Sequence, residues 1–336
     1  MLTATLFQVC ISHLHVMDSH SRLTRVTAEV GSDEQIADIL DNPSDHHAYV
    51  GYEPSGVLHL GHLLTAQKLA DLHQIGLDVT VLMADVHAHI NGKGSLEHVR
   101  EVGEEMAAHL RAFGLQDAEV VYGSSFQYDE SYQNALHQLQ TTVSLSRAER
   151  SMSEIAGDGT PTVGSVVYPL MQALDIAALD ADIAVGGMEQ RKVHMLARDA
   201  LPSIGEEKPA FVHTPLISDL KTGSGKMSSS EGVTLSAADT EQDVRQKVSD
   251  AFCPQAIEQE GSENPVLQLY EYLVFPRNDL VTVDRPSPYG GTLRYNSYSE
   301  LEQSLVSGNL HPADAKDTLA AHLNNILEPI RQRKHD

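Results

Sequence analysis

A doubly wound parallel α/β sheet (Rossmann-like) followed by an α-helical domain is the fold class this sequence predicts, on three observations. Short β-like runs alternate with helical patterns from Ala48 onward. A Gly/Ser-rich stretch then ends the alternation, and helical periodicity fills the remainder. Strand, helix, strand in that order argues for parallel strands with helices on both faces.

The elements follow in chain order. AYVGYE (Ala48–Glu53) reads as a strand, Leu60–His73 as a helix, and VTVLMAD (Val79–Asp85) as the next strand. Leu96, Val99, Val102, Met106, Leu110 and Phe113 recur at three- and four-residue steps, one face of an amphipathic helix. AEVVYG (Ala118–Gly123), ADIAVGG (Ala181–Gly187) and Phe211–Thr214 complete the strands, with a helix expected from Met188. Ser218–Ser230 reads as a mobile loop. Helices are expected over Thr240–Phe252, Pro265–Leu273, Ser299–Ser307 and from Pro312 on, with Ser297 and Pro312 at helix starts. The predicted boundaries are a partly disordered extension at 1–33, a Rossmann-like α/β domain at 34–217, a mobile loop and linker at 218–236, and a helical domain at 237–336.

A chain of 336 residues fits two domains of ~100–200 each and can bury a substantial core. No run of ~18 apolar residues occurs, so no membrane span is expected. Met1–Met17 lacks a basic n-region, and Met17 is an alternative start; a signal peptide is not the expected reading. Cys10 and Cys253 form no CxxC pair and no Cys/His cluster, which fits two isolated thiols in a reducing cytosol. Forty-seven acidic residues against twenty-three basic ones leave a formal charge of −24. The acids spread along the whole chain, as on a salt-adapted surface rather than a cationic-partner patch. Global charge therefore does not decide for or against nucleic acid.

Two motifs carry chemistry. His59-Leu60-Gly61-His62 follows a strand and a turn (Pro54-Ser55-Gly56) and opens a helix. Helix N-termini attract phosphate, Gly61 admits close approach of a ligand, and two imidazoles can donate to charge developing on an α-phosphate. Lys226-Met227-Ser228-Ser229-Ser230 offers a cation and three hydroxyls on a Gly-rich tether suited to a leaving pyrophosphate. It lacks P-loop spacing. Each string alone is weak: paired histidines in one turn are common, and a Ser-rich segment is ordinarily a surface linker.

In this order on a doubly wound domain, the two motifs resemble the HIGH and KMSKS signatures of class I aminoacyl-tRNA synthetases. Tyr168-Pro169-Leu170-Met171-Gln172-Ala173-Leu174-Asp175 and Val185-Gly186-Gly187-Met188-Glu189-Gln190-Arg191-Lys192-Val193-His194 are similar to segments of the archaeal and eukaryotic tyrosyl-tRNA synthetases. The resemblance runs from about Ala48 to Arg333. It implies a cytoplasmic homodimer that uses ATP and Mg²⁺, activates L-tyrosine and loads tRNA(Tyr). His59, His62, Lys226 and Ser229 would be catalytic, with Glu53 and Gly61 completing the ATP site.

On a helix Tyr168, Gln172 and Asp175 share one face. By resemblance Tyr168, Gln172 and Gln190 hold the substrate's amino and backbone end, Asp175 and Tyr49 hold its phenolic hydroxyl, and His87 lines the pocket. A buried acceptor left unpaired by phenylalanine gives the discrimination of which this enzyme class is the standard illustration, so no editing domain is expected. Asp175 as a surface acid is the competing reading; the apolar run Ile176–Leu179 argues for burial. Leu82, Phe126 and Gln127 either complete the pocket wall or pack the core. His89 follows a strand end beside His87, and neither is read as a metal ligand; no metal site is expected.

Tyr289-Gly290-Gly291 and His311-Pro312-Ala313-Asp314 resemble the segments that grip the first anticodon base, by stacking (Tyr289) and by accepting from a guanine edge (Asp314). The family often has Phe at Tyr289 and Met at Ala313. Arg150, Arg191 and Lys192 are candidates for the acceptor stem, and Arg331, Arg333 and Lys334 for a basic spot; solvated surface charge is the alternative for each. Glu231 stands where a basic residue is usual, which weakens phosphate attraction there. The Ser124–Ala156 region is expected to pack against a second copy. Rival readings are a tryptophanyl-tRNA synthetase, a non-catalytic RNA-binding relative, and a small-molecule nucleotidylyltransferase that shares HxGH.

Overall fold

The computed structural model describes residues 18–153, 162–227, 234–256 and 261–332. Six strands make the central sheet: β1 (Glu29–Val30), β2 (His47–Tyr52), β3 (Asp78–Met83), β4 (Glu119–Tyr122), β5 (Ile183–Gly187) and β6 (Ala210–Thr214). They lie in the order β1-β6-β5-β2-β3-β4. β2 to β6 pair in parallel, and β1 is an antiparallel edge strand on β6. β5 and β6 are buried along their whole length, as strands covered on both faces must be. The chain winds outward from β2 through β3 to β4, then continues on the other side with β5 and β6. The order therefore reverses beside β2, and ligands in such sheets bind there, beyond the strands' C-terminal ends.

The helices are α1 (Ser19–Thr24), α2 (Asp33–Asp41), α3 (Leu60–Ile75), α4 (Asp85–Ile90), α5 (Leu96–Leu110), α6 (Glu130–Thr142), α7 (Leu145–Ser151), α8 (Val163–Ala178), α9 (Arg191–Ala200), α10 (Glu241–Ser249), α11 (Pro265–Leu269), α12 (Tyr298–Val306) and α13 (Pro312–Gln332). α3 is apolar nearly all round and buried on most sides; Gly76, at φ 118°, ends it in the left-handed region that favours glycine. Leu63, Leu69 and Val81 share one apolar core with Val244, Leu269 and Leu323 of the C-terminal helices. On the sheet's other face Tyr49, Leu82, Leu139, Leu174 and Leu196 form a second core beneath α6, α8 and α9. Among the described residues no helix is long and apolar enough to cross a membrane.

Three features differ from the sequence-based expectation. Residues 18–33, expected in a partly disordered extension, contribute α1 and β1. The buried Lys68 donates to the carbonyls of Arg22 and Leu23 (3.0 and 2.9 Å) and closes the end of α1. Arg25 grips the Asp71 carboxylate and donates to Pro276 O at 2.9 Å, tying α1 to α3 and to the C-terminal helices. A two-residue strand and a six-residue helix are too short for periodicity to detect.

Residues 218–227, read as part of a mobile loop, are instead anchored. Ser218 N donates to Gln268 Oε1 at 2.8 Å, Phe252 N to Leu220 O at 2.6 Å, and Glu263 N to Gly223 O at 2.7 Å. Leu220 is fully buried, so composition misleads where a few apolar anchors suffice. Finally, the C-terminal region is not all helix. β7 (Val281–Val283) and β8 (Leu293–Tyr295) pair antiparallel, and the Tyr289 turn lies between them.

Candidate functional site

A cavity of about 370 Å³ opens at the C-terminal ends of β2 and β5. It is lined by Tyr49, Glu53, His59, Gly61, His62, Leu82, His87, Tyr168, Gln172, Asp175, Gln190 and Lys226 among others. Every residue expected to meet tyrosine or ATP, and that lies among the described residues, lines this one space. Ser229 and Glu231 lie outside the described residues, as do Cys10, Arg333 and Lys334.

The first turn of α3 explains the paired histidines. His59 is the N-cap, and its Nδ1 accepts from Gly61 N at 3.1 Å; His62 Nδ1 accepts from His59 N at 3.2 Å. The rings stack with centroids 3.8 Å apart. Both Nδ1 atoms are spent as acceptors on backbone N–H, so in the neutral tautomer each Nε2 carries the hydrogen. Burial keeps both neutral: it lowers His59 to about 4 and His62 well below the ordinary histidine range. They are hydrogen-bond donors, not cations. A Cβ on Gly61 would lie 2.9 Å from His59 Cε1, so this glycine is needed for the cap itself as well as for close approach of a ligand.

The Lys226 loop is tied to that same turn. Met227 N donates to Ile217 O at 2.7 Å, and Met227 is buried. Beyond the serines, Leu60 N donates to Leu235 O and Ala237 N to Leu58 O, at 3.1 and 2.8 Å, around a bridge between His59 and Ser236. The segment that follows the serines is thus hydrogen-bonded to the turn that opens α3.

At the inner end α8 aims Asp175 into the cavity, 1% exposed. Its Oδ1 accepts from Gln127 Nε2 and from the Tyr132 hydroxyl, each at 2.7 Å. Its Oδ2 lies 3.6 Å from His87 Nε2, beyond hydrogen-bond reach. Desolvation pushes the carboxyl up to about 7, with the Gln127 and Tyr132 donors pulling against it. Burial lowers His87 to about 4, so a neutral ring faces the carboxyl. His87 Nε2 is buried without a hydrogen-bond partner, a polar atom in the pocket lining that a bound group could satisfy. Burial and the nearby Asp175 raise the Tyr49 hydroxyl, which therefore keeps its proton.

The middle of the cavity is cross-braced. Tyr168 donates to Glu53 Oε2 at 3.1 Å, and Asn91 donates to the same carboxylate. Gln172 Nε2 donates to Gln190 Oε1 at 2.9 Å, linking α8 to the turn after β5. Gly186 and Gly187 leave room for this turn; a Cβ on Gly186 would lie 2.9 Å from Gln190 Cβ.

Sequence reasoning missed Tyr132. It sits on α6 and its ring packs edge-on against Phe126. Gln127 stands behind Asp175 rather than in the wall, and Leu82 alone of the three candidate wall residues lines the cavity. His89 is exposed, bonded to Gly94 O, and does not line it.

The expected tRNA contacts lie elsewhere. Arg150 is exposed on α7, and Lys192 donates to Ser153 Oγ at 2.8 Å. Arg191 makes a two-pronged pair with Glu29, at 2.6 and 2.9 Å. Tyr289 is 74% exposed. His311 caps α13, its Nδ1 accepting from Ala313 N, with Asp314 half-buried one residue on. Arg285, unmarked by the sequence, joins the two segments by donating to Gly291 O and Asn309 O, both at 3.0 Å. Arg331 is no part of a surface basic spot. It donates to Asp239 O and Asn324 Oδ1, both at 2.8 Å, because α13 packs that face against α10.

Comparison with known proteins follows the geometry. The family model for class I tRNA synthetases (W and Y) matches residues 42–328. The tyrosine--tRNA ligase of Halobacterium salinarum is 56% identical over 320 residues, covering 94% of this chain and 98% of that one. The ligase of Halorubrum lacusprofundi is 55% identical, covering 94% and 99%. The structure of tyrosyl-tRNA synthetase complexed with L-tyrosine from Archaeoglobus fulgidus superposes with a TM-score of 0.88 at 41% identity, over 94% of this chain and 98% of that chain.

Proposed function

We propose how the cavity divides between its two substrates, starting from the premise that this chain belongs to the class I tRNA synthetases of the tryptophan and tyrosine group. It is a tyrosine--tRNA ligase: it activates L-tyrosine with ATP to tyrosyl-adenylate and transfers the tyrosyl group to the 3′ end of tRNA. Tyrosine enters ring first. Asp175 Oδ2 and the Tyr49 hydroxyl take its phenol, His87 lines the ring's side, and Tyr168, Gln172 and Gln190 hold the ammonium end. ATP lies across the first turn of α3, against Glu53 and Gly61. The tyrosine carboxylate attacks the α-phosphate in line, and the Nε2–H groups of His59 and His62 donate to the charge that develops there. Lys226 and Ser229 draw off the pyrophosphate. No side chain is acylated; placement supplies ~7–11 kcal/mol and preorganised donors the rest.

Mg²⁺ would travel on the ATP phosphates. Among the described residues no three His, Cys, Asp or Glu side chains gather as a metal cage, so its ligands would be phosphate oxygens and water. The tRNA(Tyr) anticodon would meet Tyr289, His311 and Asp314, and its acceptor stem Arg150, Arg191 and Lys192. A homodimer is favoured by exposed Tyr128, Leu145 and Val163 around α6 to α8, apolar groups that a second copy would cover. We place the enzyme in the cytoplasm of a salt-adapted organism, from its charge of −24 and its acidic spread.

One observation carries the substrate reading: a carboxylate buried in the same cavity as the stacked histidines, with one oxygen saturated by protein donors. The test is ATP–pyrophosphate exchange in strong salt with tyrosine, phenylalanine or tryptophan, for wild type and Asp175→Ala. Exchange is expected with tyrosine alone. The variant should lose about a thousandfold in kcat/KM, the cost of removing a buried charged acceptor. Equal exchange with tryptophan, or an active variant, overturns the assignment.

A further inference from the structure

His194, on α9, lines the cavity and is 2% exposed, yet the roles assigned above leave it unused. It is the inner end of a polar chain that begins at the sheet edge. Glu29 of β1 accepts both prongs of Arg191. His213 Nδ1 lies 3.1 Å from Glu29 Oε2, and His213 Nε2 lies 2.9 Å from His194 Nδ1. The two rings stack on each other and on Phe211, with His194 centroids 5.1 and 5.0 Å away. Gly186 admits the ring: a Cβ there would lie 3.0 Å from His194 Cε1.

The direction of every hydrogen in this chain follows from its end. The Glu29 carboxylate, held ionised by Arg191, can only accept. His213 Nδ1 must therefore donate. Both imidazoles are neutral in their buried setting, so His213 Nε2 accepts and His194 Nδ1 donates. That leaves His194 Nε2 without a hydrogen. The cavity thus holds imidazoles of opposite sense: His59 and His62 present donors, His194 an acceptor. Phosphate oxygens suit the first two. An acceptor pairs only with an O–H or N–H hydrogen; the tyrosine ammonium is assigned above to Tyr168, Gln172 and Gln190, and ATP carries such hydrogens on its ribose hydroxyls and its adenine amine.

We infer that His194 positions the nucleoside half of ATP by accepting one of these hydrogens, in a tautomer set by Glu29 through His213. This rests on the functional reading above and adds a specificity-determining residue to it. The experiment is again ATP–pyrophosphate exchange, with the KM for ATP and for tyrosine measured separately. His194→Phe keeps the stack and loses the acceptor; it should raise the ATP KM about tenfold, one hydrogen bond, and leave the tyrosine KM in place. His194→Gln, whose amide oxygen can replace Nε2, should recover most of that loss. Glu29→Met should raise the ATP KM about threefold and Glu29→Gln less, since only the amide still accepts from His213.

Nucleotide analogues locate the hydrogen. A deoxyribose triphosphate erases the difference between wild type and His194→Phe if a ribose hydroxyl donates; inosine triphosphate erases it if the adenine amine does. The inference fails if His194→Phe leaves the ATP KM unchanged, if both KM values rise together, if Glu29→Met and Glu29→Gln behave alike, or if no analogue erases the difference. Should His194→Phe not fold, His194→Gln and the Glu29 pair carry the same decision. Failure of wild type to exchange with tyrosine at all would sink the functional reading instead.

Discussion

At the inner end of the cavity Asp175 is 1% exposed and two protein donors fix one of its oxygens; at the far end of the chain Tyr289 is 74% exposed on a turn between two short strands. The first region is built before its ligand arrives. Its cost is a carboxyl held away from water; under the proposed reading, a ligand without the phenolic hydroxyl would leave that acceptor unpaired. The second holds a ring face open to solvent and braces the backbone behind it, through Arg285. A small molecule can be enclosed and read by buried polar groups. A base on a large RNA has to be met at the surface, where stacking is the cheap contact.

The comparison breaks if Asp175 works without its brace. Tyr132→Phe removes one donor from Oδ1 and leaves the ring packed on Phe126. A hydrogen bond to a buried charged group is worth ~1.5–3 kcal/mol, so the tyrosine KM should rise roughly thirtyfold. The kcat and the ATP KM should hold, because the change lies at the ring end. A wild-type tyrosine KM in this variant would make Tyr132 a packing residue only.

How legible each region was in the sequence follows from the same contrast. Spacing within one element is periodic and readable: Tyr168, Gln172 and Asp175 were legible as one helical face, and His59–His62 as the turn that opens α3. Pairings between elements are not. Tyr132 and Asp175 stand 43 residues apart, and Gln127 and Asp175 stand 48 apart; nothing local to either marks the contact. β1 has two residues, too few for any alternation to register, although it brings Glu29 to His213. Charge alone misplaced Arg331: a terminal arginine reads as exposed, and only the packing of α13 on α10 turns it inward. The Tyr289 and His311 segments were legible as motifs, whereas the Arg285 brace that joins them was not.

The exposed region is sharpened by Tyr289→Ala. Losing a stacking face costs ~1–3 kcal/mol, so aminoacylation should show a KM for tRNA about tenfold higher. Tyrosine-dependent exchange, which needs no tRNA, should stay at the wild-type rate. Loss of both activities would mean that the turn supports the fold rather than the anticodon.

The smallest expected effect separates the regions by pH. Between pH 6 and 8 His59 and His87, both lowered to about 4, are neutral throughout, whereas Asp175, raised to about 7, changes charge. The ionised carboxylate is the stronger acceptor for a phenol, so the tyrosine KM should fall about threefold as pH rises through 7. The stability sign is opposite. A carboxyl whose folded value exceeds its unfolded one contributes stability that is full below the unfolded value of 3.8 and is lost as pH climbs through about 7. Ionised Asp175 therefore burdens the empty protein, and tyrosine should raise the melting temperature more at pH 8 than at pH 6. Asp175→Asn should flatten both dependences. Tyr132→Phe, by removing a donor that lowers the carboxyl, should move them to higher pH. A flat wild-type profile across this range would mean that Asp175 is ionised well below 7, with desolvation offset by more than its two donors.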